Sequence, residues 1–169
     1  MTQPVTEEKI TDKIDPARAQ ALMATLGDAR AVQSGDVLPP FAHLAFFWSP
    51  KTEADLGVDG HAKLGGLIPD LGLPIRMWAG GRLRQHAPFR AGINAERMTR
   101  LAGVTRKEGR SGRLAFVTLR HEVRQRGQPV LTEDQDIVYR EASELSGEPP
   151  VVTEAPDERR ALKLSEISL

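Results

Sequence analysis

Residues 75 to 86 read Ile75-Arg76-Met77-Trp78-Ala79-Gly80-Gly81-Arg82-Leu83-Arg84-Gln85-His86. From Gly81 the pattern acquires a period of two. Leu83, Gln85, Ala87 and Phe89 alternate with Arg82, Arg84, His86 and Pro88, which predicts a strand with one covered face. Ala91-Gly92 and Asn94 mark a turn, and a second extended run follows to Lys107. The bracket Glu108-Gly109-Arg110-Ser111-Gly112 leads into a third run, Leu114 to Arg124, whose centre is apolar on both faces as in an interior strand. Gly127 and Pro129 punctuate the turn into a fourth, Val130 to Arg140. Four sequential strands with short turns predict an antiparallel meander within an α+β domain.

The flanks divide by composition. Residues 1–14 are polar and are expected to form a flexible N-terminus. Asp15 offers an N-cap with Pro16 at the first helical position, and Ala19, Leu22, Met23 and Leu26 repeat at helical spacing until Gly27. A second helix is predicted after Pro39-Pro40, where Phe41, Leu44, Ala45 and Trp48 repeat that spacing before Ser49-Pro50. Lys51 to Pro74 is glycine-rich and aperiodic, so it reads as a long irregular loop over the sheet. The main domain is placed at 15–141, and 142–169 is an acidic, proline-bearing linker or tail.

Composition narrows the function classes. The 169 residues suit one domain. Lys+Arg and Asp+Glu both number 23, which gives no polyanion-binding surface and argues against nucleic acid as a partner. With no cysteine there are no disulfides, thiolate nucleophiles or Cys-ligated metals, and the four histidines lack ligand-like pairing, so no metal is expected. The polar start and the short apolar stretch Leu44 to Trp48 argue against a membrane and for a cytoplasmic location.

Five segments, in one order, resemble the N-terminal half of the MaoC-like dehydratases, the group containing type 2 hydroxyacyl-thioester dehydratases and mesaconyl-CoA or itaconyl-CoA hydratases. They are Leu38-Pro39-Pro40-Phe41 with Phe47-Trp48, Leu56 to His61, Arg76 to Gly81, Lys107 to Gly112, and Gln135 to Glu141. The resemblance implies a hot-dog fold, an antiparallel sheet of about five strands wrapped around a central helix, with acyl-CoA bound between two such units. It also implies a hydro-lyase that needs no cofactor beyond its CoA thioester. Such hydratases carry an Asp with a His five residues later in their second hot-dog unit. No Asp stands five positions before His43, His61, His86 or His121.

The chain is therefore expected to be one half of an enoyl-CoA hydratase or 3-hydroxyacyl-thioester dehydratase. It would supply acyl-CoA-binding surface and pair with itself or with a separately encoded catalytic hot-dog subunit. Asp59-Gly60-His61 is the nearest approximation to an acid/base pair, although Asp-Gly is also an ordinary turn. Arg76 offers a fork for a CoA phosphate or a substrate carboxylate and Trp78 a wall for the acyl pocket, or the two are a local ion-pair partner and a core residue. The likeness to mesaconyl-type hydratases implies a small carboxylated acyl chain, with Arg76 expected to hold its carboxylate. Gly80-Gly81 would admit close approach of a thioester or simply ease a strand entry. His86 with Arg82 and Arg84 would line a CoA channel or form a solvated face, and Lys107 and Arg110 would meet CoA phosphates or flank a hairpin turn. His121 reads as a surface or interface residue, and His43 as a structural histidine in an aromatic helix. Two other classes stay open: a non-catalytic acyl-CoA-binding dimer, and a thioesterase in which Asp59 or Glu53 activates water.

Overall fold

A computed structural model describes residues 7–57, 59–109 and 112–142. The predicted tail from residue 143 onward lies outside the described residues, as do Arg110 and Ser111. Five strands form one antiparallel sheet: β1 (Glu7–Lys13), β2 (Ile75–Gln85), β3 (Asn94–Gly109), β4 (Gly112–Gln125) and β5 (Gln128–Arg140), in the order β1-β3-β4-β5-β2. Helix α1 (Pro16–Thr25) follows β1. No helix among the described residues is long and apolar enough to cross a membrane.

The meander holds only for β3, β4 and β5. Arg126 and Gly127 both take positive φ in the two-residue turn between β4 and β5, which matches the twist of paired strands. The first predicted strand instead pairs with β5. Its chain then crosses the end of the sheet, where the His86 and Ala87 amides both donate to the Val130 carbonyl. Phe89, 2% exposed in the core, anchors that crossing. Strand β2 also begins at Ile75 rather than Gly81, so Arg76, Trp78 and Gly80 are strand residues.

Residues 7–13 are not the flexible segment expected from their polarity. They form edge strand β1, in register from Glu7↔Arg100 to Lys13↔Asn94. An edge strand with one solvated face tolerates polar residues that read as a frayed terminus. Asp15 caps α1 as predicted, its carboxylate accepting from the Ala17 amide at 2.9 Å.

The second helix is the main departure. Only Ala42–Ala45 form a short 3₁₀ turn, bounded by Phe41 at φ 67° and Phe47 at φ 61°. Most of the predicted apolar face points outward, with Phe41, Leu44 and Trp48 at 52%, 57% and 65% exposure, while Ala45 packs against the core. Phe46 and Phe47 are buried instead. Two adjacent aromatics cannot share one helix face, and the Phe47 amide donates to Asp12 rather than to a helical carbonyl.

Partners across antiparallel strands share a face, so the register sorts the sheet. Its inner face carries Ala115, Val117, Leu119, His121 and Val123 of β4 opposite Tyr139, Ile137, Gln135, Glu133 and Leu131 of β5. Of the β4 segment read as apolar on both faces, only this face is buried; Phe116 on the other is 37% exposed. Bulges at Trp78/Gly80 and Leu101/Gly103 help the sheet curl. Two apolar clusters fill the inner face. One joins Ile14, Ala19, Phe46, Phe47 and Phe89 to Val123 and Leu131. The other packs Leu71 and Leu73 of the long loop on Val117, Ile137 and Tyr139. This curled five-stranded sheet, with α1 and the short turn against its inner face, is a hot-dog fold.

Candidate functional site

Between the two apolar clusters the inner face is polar. His121 on β4 lies beside Thr99 on β3 and Glu133 on β5, and all three are buried. His121 Nδ1 is 2.8 Å from Thr99 Oγ1, and its Nε2 is 3.4 Å from Gln135 Oε1. Glu133 Oε2 is 2.9 Å from Nε2 of His43, which hangs from the 3₁₀ turn. His43 Nδ1 is buried without a hydrogen-bond partner among the described residues. His121, expected at the surface or an interface, is therefore buried within the chain. A strand with alternating burial hides every second side chain, and the parity of Val117, Leu119 and Val123 puts His121 with them.

Burial and the neighbouring Arg97 cation hold the His121 imidazole below its usual value, favouring the neutral ring. Burial alone would raise the Glu133 carboxyl. The hydrogen bond from His43, with the nearby Arg97 cation, outweighs that and keeps it ionised below the ordinary range. Arg97 is itself pushed down by burial.

Over this band lies a cleft of about 520 Å³. The loop residues Leu64, Leu67 and Ile68 wall it, while Thr99, Leu119, His121, Glu133 and Gln135 form its floor. Arg76 and Tyr139 stand at one end, on facing strands, and Arg97 and Glu8 at the other, on β3 and β1. Lys51 and Lys63 add positive charge. A second cleft of about 390 Å³ shares Lys63, Leu64, Arg76 and Tyr139 and continues past Asp59, His61 and Asp70. Burial raises the Tyr139 phenol, with Arg76 opposing and Asp59 reinforcing the shift, so the hydroxyl stays protonated.

The predicted residues divide. Asp59, His61 and Arg76 meet around the second cleft, with His61 Nδ1 3.4 Å from Asp59 Oδ2. Their loop is also a tight turn, since Asp59 Oδ1 accepts the His61 amide and the Gly57 amide donates to the His61 carbonyl. Trp78 shares the inner-face parity of Arg76 but is 69% exposed and lines neither cleft. Gly80 and Gly81 follow the bulge, where a side chain at Gly81 would come within 3.4 Å of the Asp134 carbonyl.

His86 and Lys107 lie on the outer face. The His86 ring contacts Thr132 at 2.9 Å, and the Lys107 ammonium sits 5.0 Å from the Phe116 ring. The positive strip expected there is offset by carboxylates: Arg82 pairs with Asp136 at 2.6 Å, and Arg120 with Asp134 at 2.6 Å. Arg110 lies outside the described residues. Sequence reasoning passed over Arg97, Thr99 and Glu133. Their inner-face parity was the available signal, but it becomes visible only once the strand register is known.

The hydroxyacyl-thioester dehydratase type 2 family model matches residues 41–169. The mesaconyl-C(4)-CoA hydratase of Chloroflexus aurantiacus is 42% identical over 135 residues, which are 79% of this chain and 48% of that protein. The chain thus spans about half the length of the curated relative it matches. Among solved structures, the ChsH1–ChsH2 complex of Mycobacterium tuberculosis superposes with a TM-score of 0.59 at 14% identity, over 82% of this chain and 89% of that one. The monoamine oxidase regulatory protein of Archaeoglobus fulgidus gives 0.51 at 13% identity, over 82% and 92%. These two likenesses are of fold.

Proposed function

The chain belongs to the hydroxyacyl-thioester dehydratase type 2 family, and from that membership we propose that it is one hot-dog half of an enoyl-CoA hydratase or 3-hydroxyacyl-thioester dehydratase. It forms acyl-CoA-binding surface, and a second hot-dog unit supplies the acid and the base. The reaction adds or removes one water across a carbon–carbon double bond, as a proton and a hydroxide, and requires no group beyond the CoA thioester, in keeping with a cytoplasmic enzyme.

The supporting observation is the cleft, with apolar walls at Leu64, Leu67 and Ile68 and cations at Lys63, Arg76 and Arg97. Few convergent polar groups in an apolar cleft suit a thioester with an anionic arm. Hydration needs a base near water, an acid at the α-carbon and donors on the enolate oxygen. His121 has both ring nitrogens engaged, and Glu133 is tied to His43, so neither offers a free base in this half. Arg76 holds an anionic part of the ligand where the two clefts meet.

A second reading keeps both roles in this chain. The Asp59 and His61 pair borders Arg76, with the imidazole about half exposed to water.

The test follows the enoyl absorbance of mesaconyl-CoA and crotonyl-CoA with the purified chain, with and without a thiol reagent, alongside its mass in solution. Binding without turnover, with hydration restored by a second hot-dog unit bearing the missing Asp and His, is the expected result. Hydration by the chain alone, abolished by His61→Ala, would establish the second reading. Release of free CoA thiol would make the protein a thioesterase, and binding without turnover under any pairing would make it an acyl-CoA-binding module.

A further inference from the structure

We infer that Arg97 holds a free carboxylate on the acyl portion of the ligand, at the opposite end of the 520 Å³ cleft from Arg76, so that the site selects a carboxylated acyl chain. This rests on the acyl-thioester reading above.

Arg97 faces inward from β3, between Ile10 of β1 and Val123 of β4. Its Nε is buried with no hydrogen-bond partner among the described residues. Among the described residues its guanidinium reaches only the Phe47 carbonyl at 3.5 Å and the Phe47 ring at 5.3 Å. Among the described residues no carboxylate comes within ion-pair distance of it. Glu8 and Glu133 influence it only through space, and Glu133 is already bonded to His43. A half-buried cation without a bonded counter-ion is costly to the fold. It persists here beside an open cleft that carries four cationic side chains, Lys51, Lys63, Arg76 and Arg97, against two carboxylates, Glu8 and Glu133.

An anionic ligand group removes that cost, and the planar fork of an arginine matches a carboxylate bidentately. The two ends of the cleft suit different anions. Arg76 stands on edge strand β2, where both clefts open, a place for the strongly hydrated phosphates of the CoA arm. Arg97 sits against Phe47, Thr99 and His121, all buried, a place for the small end of the acyl chain.

The test is calorimetric titration of the purified full chain, as wild type, Arg97→Met and Arg97→Lys, with mesaconyl-CoA, crotonyl-CoA and free mesaconate. Arg97→Met should weaken mesaconyl-CoA by about thirtyfold or more and crotonyl-CoA by less than about threefold, and Arg97→Lys should recover part of the loss. The melting temperature of Arg97→Met should hold or rise, because a half-buried charge without a bonded counter-ion has been removed. Equal losses for both thioesters, no loss for either, or a lowered melting temperature with general loss of binding would overturn the assignment and make Arg97 structural. If the wild type binds no thioester but takes free mesaconate in an Arg97-dependent way, the acyl-thioester reading fails and the carboxylate site stands. If it binds neither, both fail.

Discussion

His43 Nε2 lies 2.9 Å from Glu133 Oε2, with both side chains buried, and this contact ties the 3₁₀ turn at Ala42–Ala45 to the middle of β5. Removing one partner of a buried charge-assisted pair leaves the other unsatisfied. Glu133→Leu should therefore cost about 3–5 kcal/mol, and adding His43→Leu should recover much of it. Urea denaturation of the two single variants and the double variant measures this. Additive losses in the double variant would show that the two residues act independently.

The same band predicts an acid limb in stability. His121 is held below its usual value of 6.5, so the unfolded chain takes its proton first. That stability is fully present above pH 6.5 and is lost as the pH falls through the folded value. Glu133, held below 4.5, adds a second loss at lower pH. Calorimetric melting between pH 8 and pH 5 should show a falling limb that His121→Gln flattens. An unchanged slope in that variant would remove His121 as its source.

Phe46 and Trp48 exchange the importance that helical spacing would assign them. Phe46 is 2% exposed and packs edge-on to Phe89, with ring centroids 6.2 Å apart. Phe46→Ala should cost about 3–5 kcal/mol. Trp48 is exposed under the Arg18 guanidinium at 4.6 Å, so Trp48→Ala should cost about 1 kcal/mol or less. Equilibrium unfolding of both variants distinguishes the observed turn from a helix, which would reverse the order.

Two glycines at positive φ should differ. An alanine at Gly27, φ 85°, meets open space and should cost about 1 kcal/mol from backbone strain. At Gly92, φ 76°, the added carbon would lie 2.8 Å from Ser34 Cα, so Gly92→Ala should cost about 2–4 kcal/mol. Paired melting curves of the two variants settle it, and equal shifts would contradict the close approach of Ser34.

The sheet separates the candidate binding residues. Arg76→Met should weaken every CoA thioester tested, because it removes a cation from both clefts. His86→Ala and Lys107→Ala, on the outer face, should leave affinity within about twofold. Titration of one thioester into all three variants gives the comparison. A loss at Lys107 equal to that at Arg76 would mean that the ligand reaches around the sheet.

The sequence by itself determined the strands from Asn94 to Arg140, helix α1 with its Asp15 cap, and the family likeness carried by Arg76 to Gly81 and its companion segments. These are local signals: a period of two, a cap one residue before a proline, and short motifs in order. Tertiary structure decided the rest. Pairing of β2 with β5, rather than with its neighbour in sequence, put Arg76 and Tyr139 together at the mouth of the clefts. Strand β1 gained its place only by adding to the edge of β3, and the aromatic segment gave up its helix so that Phe46 and Phe47 could both enter the core. The polar band of Thr99, His121 and Glu133 comes from three strands, and Arg97 faces it from β3. Period two sorts side chains onto faces within one strand, but only the register between strands says which residues meet, and the register is set by packing across the whole sheet.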